Sequence, residues 1–148
     1  MPRSPNPVRS TAIPGGRQLR LYGDDADNLR YYSDRKRIYV GHGSGALGEI
    51  DEQGNKVGEI KLDAHPESFQ LEKDTPRIYV NLLKSRKIAV LDRETRPTVA
   101  AWPLGMTLAN YAMALDEADH RLFVVTRHPA RRLRYDNRKD RPAPACGG

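Results

Sequence analysis

The sequence of 148 residues is long enough for one ordinary domain with a core, and with 38% apolar and 30% charged residues it is polar for a compact globule. Its single cysteine, Cys146, excludes an internal disulfide framework and a cysteine-rich metal cluster. No segment approaches the roughly 18 consecutive apolar residues of a membrane span, and residues 1–16 have no apolar signal core, so we expect a cytoplasmic protein with no membrane partner.

The net charge of +6 is concentrated at the two ends of the chain. Residues 1–20 carry four arginines and no acid, and residues 127–141 carry seven basic and two acidic side chains. Such charge-rich and proline-rich ends are typical of solvated tails, because they bury too little apolar surface to order themselves. We therefore predict disordered tails at residues 1–17 and 137–148. Nonspecific binding of nucleic acid through these arginines is a minor alternative.

The first motif in chain order is a glycine pattern, G-x-G-x-x-G, formed by Gly43, Gly45 and Gly48 within RIYVGHGSGALGEID. In a dinucleotide-binding protein a helix follows these glycines and its N-terminus holds the phosphates. Here a polar turn and another short apolar segment follow instead. The pattern therefore predicts a glycine-rich turn between antiparallel strands, and no bound cofactor.

The main feature of the chain is a repeat. Arg37-Ile-Tyr-Val40 returns as Arg77-Ile-Tyr-Val80 and as Arg121-Leu-Phe-Val124, at spacings of 40 and 44 residues. Each copy is preceded by a short apolar strand and followed by a third strand that ends in an apolar-Asp pair, and in the first two copies a fourth strand follows. Four antiparallel strands at this period are typical of a β-propeller blade. The predicted fold is an all-β partial β-propeller over residues 18–136, with blades at about 27–62, 65–104 and 111–136.

The repeated segments RIYVGHGSGALGEID, RIYVNLLKSRKIAVLD and RLFVVTRHPARRLRYD resemble the repeat of YncE-like, YVTN-repeat propeller proteins. The resemblance covers about residues 26–136 and comes from the repetition. It implies a propeller, commonly of seven blades, in proteins that are usually periplasmic or secreted and mostly without assigned catalysis. We therefore expect a non-catalytic binding scaffold.

The sequence departs from this family pattern in its number of blades and in the third blade. About three blades are present, whereas closure takes at least four, and the fourth strand of blade three would begin near Ala143 within the proline-rich segment 142–148. Because proline has no amide to donate, we expect no paired strand there. Residues 18–21 resemble the outer strand of a preceding blade. We hypothesise a fragment of a longer propeller; the alternative is that two or three copies close a ring as a homo-oligomer.

Propellers bind ligands or partners on the axial face, at the loops that enter each first strand and join each second strand to the third. The predicted binding residues for a protein or small molecule are Asn28, His42, His65, Glu67, Asn110 and Arg127. Asn28, Glu67 and Asn110 offer oxygen ligands to calcium, so a calcium-dependent lactonase-like hydrolase is an alternative function. Asn is also a normal turn residue, and we predict no metal or cofactor.

The remaining polar and aromatic residues suggest structural roles. The four histidines show no metal-ligand spacing and no acidic partner that would orient a base, and no serine completes a triad. We predict that the repeated aspartates at the third-strand ends, Asp51, Asp92 and Asp136, accept amide hydrogen bonds in the following turns. The aromatic residues predicted to pack between blades are Trp102, Tyr39, Tyr79, Phe69 and Phe123.

Overall fold

A computed structural model describes residues 25–43, 45–106 and 112–127, together with the backbone of residues 130–136 and 141–142. Within these ranges the helical structure is a single 3-10 turn at Ser33–Arg35, and no helix there is long and apolar enough to cross a membrane. The N-terminal tail, the residues after 142 and Asn110, for which predictions were made above, lie outside the described residues.

The strands form three antiparallel sheets of four strands, which follow one another along the chain. Blade 1 contains β1 (Asn28–Tyr32), β2 (Arg37–His42), β3 (Ala46–Asp51) and β4 (Lys56–Lys61). Blade 2 contains β5 (Ser68–Leu71), β6 (Arg77–Leu82), β7 (Lys87–Asp92) and β8 (Thr98–Pro103). Blade 3 contains β9 (Ala112–Asp116), β10 (Arg121–Arg127), β11 (Ala130–Asp136) and β12 (Arg141–Pro142). The predicted all-β partial propeller is confirmed, and its sheets do not close into a ring.

The glycine pattern in blade 1 forms a hairpin turn, as predicted. β2 pairs antiparallel with β3, and Gly43 and Gly45 at the turn adopt φ angles of 59° and 155°. Residues that carry a side chain rarely adopt such positive φ angles, so the conformation of the turn requires glycine. Gly48 lies inside β3, opposite Val40.

The contact between blades 1 and 2 is an apolar cluster. Alternate residues of a strand face opposite sides of its sheet, so each blade presents one set of side chains to each neighbour. Tyr39, Leu47 and Ile60 of blade 1 pack against Phe69 and against the β6 and β7 residues Ile78, Val80, Leu82, Ala89 and Leu91 of blade 2. Burial of these faces stabilises the pair of sheets at roughly 25 cal/mol per Å² of apolar surface.

The intervening residues of blade 2 face blade 3. Tyr79, Ile88, Val90 and Trp102 form a second cluster with Leu122 and Val124. The rings of Tyr79 and Trp102 lie 5.6 Å apart at 30°. The aromatic prediction is thus confirmed for four of the five residues. Phe123 is only half-buried, because it points away from Leu122 and Val124 to the face of blade 3 that has no described neighbour.

The first strand of blade 1 shows the same alternation at its open face. Arg30 and Tyr32 face blade 2, where the Arg30 guanidinium lies 5.6 Å from the centre of the Phe69 ring. Leu29 and Tyr31 point the other way and are 56% and 53% exposed. Blade 1 therefore presents apolar side chains that are not covered by any described part of the chain.

Blade 3 has a fourth strand, so the prediction that Pro142 would not take part in a paired strand is wrong. Arg141–Pro142 pairs with the end of β11, Asp136 opposite Arg141 and Tyr135 opposite Pro142. A proline is compatible with an edge strand, since the outer side of such a strand donates no ladder hydrogen bonds. The strand is two residues long, so blade 3 has a shorter outer strand than blades 1 and 2.

The repeated aspartates were predicted to accept amide hydrogen bonds in the turns after the third strands, and this prediction is confirmed for two of the three. The Asp51 carboxylate accepts the amide of Asn55 at 2.8 Å, and that of Asp92 accepts the amides of Glu94 and Thr95 at 2.8 and 2.9 Å. Amide donation to the ionised form lowers the pKa of both carboxyls. The side chain of Asp136 lies outside the described residues.

Candidate functional site

The axial end of the propeller is built from loops that the sheet topology places side by side. The first strands β1, β5 and β9 are neighbours, so the segments that enter them lie at one end of the three sheets. The loops that join each second strand to the third lie at the same end, because all the sheets are antiparallel. We call this end the axial rim.

Hydrogen bonds join the axial loops of blades 1 and 2. The side-chain amide of Asn28 donates to the main-chain oxygen of Glu67 at 2.6 Å and to the Asp27 carboxylate at 3.2 Å. The His65 ring nitrogen Nδ1 lies 2.6 Å from the main-chain oxygen of Gly43. Three of the predicted binding residues, Asn28, His65 and Glu67, are thus brought together between the two blades.

His65 also lies between two carboxylates, which corrects the statement that no histidine has an acidic partner. Its Nδ1 is 3.7 Å from Asp25 Oδ2, and its Nε2 is 3.6 Å from Asp27 Oδ2. Burial acts to lower the pKa of His65, but the Gly43 carbonyl and the two carboxylates outweigh it and raise the pKa above its usual value. One ligand atom from each of Asp25, Asp27 and His65 lies within 4.8 Å of the others.

Metal-ligand spacing within a short segment does not reveal this cluster, because its three residues come from the loops of two blades. Asp25 and Asp27 precede His65 by 40 and 38 residues, which is one blade period. Residues separated by one period occupy equivalent loops of neighbouring blades, and those loops are adjacent in space. The repeat period is therefore the sequence signal that relates these two loops, whereas which of their side chains meet depends on how the blades pack.

The other predicted rim residues are dispersed. His42 has a side chain only 12% exposed, with Nε2 3.5 Å from Glu59 Oε2, and burial lowers its pKa. Arg127 is exposed at the end of β10. Two further basic residues that were not among the predicted set, Lys84 and Arg86, are exposed in the loop between β6 and β7. The rim is therefore acidic where blade 1 meets blade 2, and basic in the loop of blade 2.

The predicted calcium set is only partly assembled. The side-chain amide of Asn28 donates to the main-chain oxygen of Glu67, so the contact between these residues does not involve the Glu67 carboxylate. Ser68, beside Glu67, has a buried hydroxyl without a hydrogen-bond partner among the described residues. No catalytic triad forms among the described side chains, and Ser44 is not one of them.

A second concave region lies at the opposite end, between blades 1 and 2. This cavity of about 580 Å³ is lined by Tyr32, Arg35, Arg37, Tyr39, Glu49, Lys73, Asp74, Thr75, Pro76, Arg93 and Glu94. Its charges largely compensate one another: Glu49 lies 3.3 Å from Arg37 and 2.9 Å from Arg96, and Glu94 lies 3.0 Å from Arg35. Two of these ion pairs, Glu49 with Arg96 and Arg35 with Glu94, join blade 1 to blade 2.

Comparisons with known proteins support the fold. No protein-family model matches the chain, and no curated protein matches it significantly. The chain is similar in structure to hydrazine synthase of Kuenenia stuttgartiensis, with a TM-score of 0.70 at 12% identity, and to U3-55K, with a TM-score of 0.69 at 13% identity. It is covered to 84% and 81% by these alignments but spans only 37% and 38% of the two proteins. Both are propeller proteins, and at this identity the likeness shows the fold alone.

Proposed function

We propose that the chain belongs to a YVTN-type β-propeller that acts as a non-catalytic binding scaffold through its axial rim. The observation that carries the proposal is the pair of hydrogen bonds, Asn28 to Glu67 and His65 to Gly43, that joins loops of neighbouring blades. Loops held in this way form a preorganised surface, and preorganisation lowers the entropy lost when a ligand binds. The recurring RIYV segments support the YVTN assignment.

The open faces of the blades support a longer propeller. Leu29 and Tyr31 remain more than half exposed on blade 1, and the three described blades do not form a closed ring. Ring closure takes at least four blades, so further blades of the same protein would cover these faces and complete the axial rim. Alternatively, a second copy of the chain would cover these open faces.

The basic part of the rim indicates the kind of ligand. Lys84 and Arg86 are exposed in one short loop and form no ion pair with any described residue. An anionic group on a protein or small molecule would gain favourable electrostatic contacts there. We therefore expect the scaffold to bind an acidic partner at the loop between β6 and β7.

The scaffold role is tested by comparing what immobilised protein retains before and after the rim charges are reversed. The test variant is Lys84→Glu with Arg86→Glu, and the matched control is Arg35→Glu with Lys73→Glu at the opposite end of the sheets. A protein or metabolite retained by the unmodified chain and by the control, but lost by the rim variant, is expected. Equal retention by all three proteins would contradict binding at this part of the rim.

Two alternatives from the sequence have separate tests. A calcium-dependent lactonase would show a rise in melting temperature with millimolar calcium and turnover of lactones that requires the metal. Nucleic-acid binding through the arginine-rich ends would weaken steeply with salt, because it depends on release of counterions from phosphates. Either result would replace the scaffold by the corresponding function.

A further inference from the structure

We infer that the axial rim holds a divalent metal ion of the zinc class between blades 1 and 2, bound by Asp25, Asp27 and His65. One ligand atom of each residue lies within 4.8 Å of the other two. The metal site does not depend on the scaffold role, since it concerns three side chains at the acidic part of the rim. It adds a ligand that neither the repeat nor the comparisons assign.

The orientation of His65 suits metal binding. Its Nδ1 lies 2.6 Å from the Gly43 carbonyl oxygen, which can only accept, so Nδ1 carries a proton and donates it. In the neutral ring Nε2 then has a free lone pair, and it lies 3.6 Å from the Asp27 carboxylate. In histidine ligands the N–H of the second ring nitrogen commonly donates a hydrogen bond to a backbone carbonyl in this way, which fixes the tautomer and the ring orientation.

The backbone around the cluster is held from both sides. The Leu62 amide donates to the Gly45 carbonyl at 3.1 Å, and the turn at Gly45 packs directly on residues 62–64. Asn28, next to Asp27, donates to Glu67, two residues after His65. The loops that carry Asp27 and His65 are therefore fixed to one another before any ion binds.

The distances and donor types favour zinc over calcium. Two ligands bound about 2.0–2.1 Å from a tetrahedral ion lie about 3.4 Å apart, so Asp27 and His65 need to approach by only a few tenths of an ångström. One imidazole nitrogen with two carboxylates is a donor set for zinc, whereas calcium takes six to eight oxygen ligands. Asp25 Oδ2 lies 3.7 Å from Nδ1, so the Asp25 side chain must turn toward Nε2 to bind the same ion. The side chains of Asp25 and Asp27 are 69% and 46% exposed, which allows this movement and leaves a position open to water.

The same three residues could instead form only an ion pair, in which a protonated His65 is held by two carboxylates. The experiment that separates the two is calorimetric titration with Zn²⁺ at pH 7.5, with Co²⁺ as a second probe whose visible absorption reports its coordination. The test variants are Asp25→Asn and His65→Gln. His120→Gln, in the turn between β9 and β10 at the opposite end, is the histidine control. All proteins carry Cys146→Ser, which removes the thiol as a competing ligand.

We expect one Zn²⁺ per chain, at least about tenfold weaker binding for Asp25→Asn, and loss of this site in His65→Gln. His120→Gln should bind as the parent does. Circular dichroism of the metal-free proteins shows whether each variant is folded; Asp25, the most exposed ligand, can be replaced with little effect on folding. Equal zinc binding by the parent, Asp25→Asn and His65→Gln would overturn the inference, and so would an absence of zinc binding by the folded parent, which would leave the ion pair alone.

Discussion

The guanidinium of Arg93 in blade 2 lies over the ring of Tyr32 in blade 1, 4.2 Å from its centre. The same guanidinium donates to the carbonyl oxygens of Glu72, Thr75 and Arg77 at 2.6, 2.6 and 3.1 Å. Arg93 thus organises the loop between β5 and β6 and contacts the neighbouring blade through one planar group. This arrangement needs an arginine, because an ammonium cannot present a planar fork of donors.

Arg93→Ala should lower the free energy of unfolding by about 3 kcal/mol, because buried carbonyls lose their donors and the contact with Tyr32 is lost. Arg93→Lys should recover part of this loss. Arg35→Ala, which breaks an exposed ion pair with Glu94, is the control and should cost less than about 0.5 kcal/mol. Urea unfolding followed by circular dichroism measures all three; equal stability of the Arg93 and Arg35 variants would show that the guanidinium contacts contribute little.

Two glycines of the β2–β3 turn should respond differently to alanine. A Cβ at Gly45 would lie 2.8 Å from the Leu62 oxygen and 2.9 Å from the Ala64 oxygen, whereas a Cβ at Gly43 would meet nothing within 4 Å. Gly43→Ala should therefore cost about 1 kcal/mol, through its positive φ alone. Gly45→Ala should cost more than about 2 kcal/mol, since the backbone must shift. Comparable urea midpoints for the two variants would contradict the packing of this turn.

The Asp92 carboxylate should contribute to stability in a pH-dependent way. Amide donation by Thr95 and Glu94 lowers its pKa in the folded state, so its contribution is complete above the unfolded pKa and is lost as pH falls through the folded value. Asp92→Asn should be less stable than the parent by about 1 kcal/mol at pH 7, and the gap should narrow below about pH 4. Asp74→Asn, an exposed aspartate, is the control. A gap that does not change between pH 7 and pH 3 would contradict this role.

The open face of blade 1 should drive self-association of the isolated chain. Leu29→Lys with Tyr31→Lys should raise the concentration at which assemblies form by at least about tenfold, because burying one large apolar side chain is worth about 1.5–3 kcal/mol. Val99→Lys, on the outer strand of blade 2 and 53% exposed, is the matched control. Size-exclusion chromatography with light scattering gives the molar mass at each concentration. If Val99→Lys dissolves the assemblies as well as the blade 1 variant does, another surface is responsible.

The repeat made the blades predictable before their structure was known. Copies of Arg-Ile-Tyr-Val at blade spacing set the strand order, and the apolar-Asp pairs marked the ends of the third strands. The turn at Gly43 was also predictable, because no helix signal follows the glycines. These features depend on neighbours along the chain, so local sequence is sufficient to determine them.

Only the tertiary structure decided which side chains meet across blades. Asp25 and His65 are 40 residues apart, and they become neighbours because each blade repeats the same loop at the same end of its sheet. Arg93 acquires its contact with Tyr32 in the same way. The local sequence determines each sheet through its period and turns, whereas the contacts between sheets depend on how the twisted blades stack, and that packing is what places a histidine between two carboxylates.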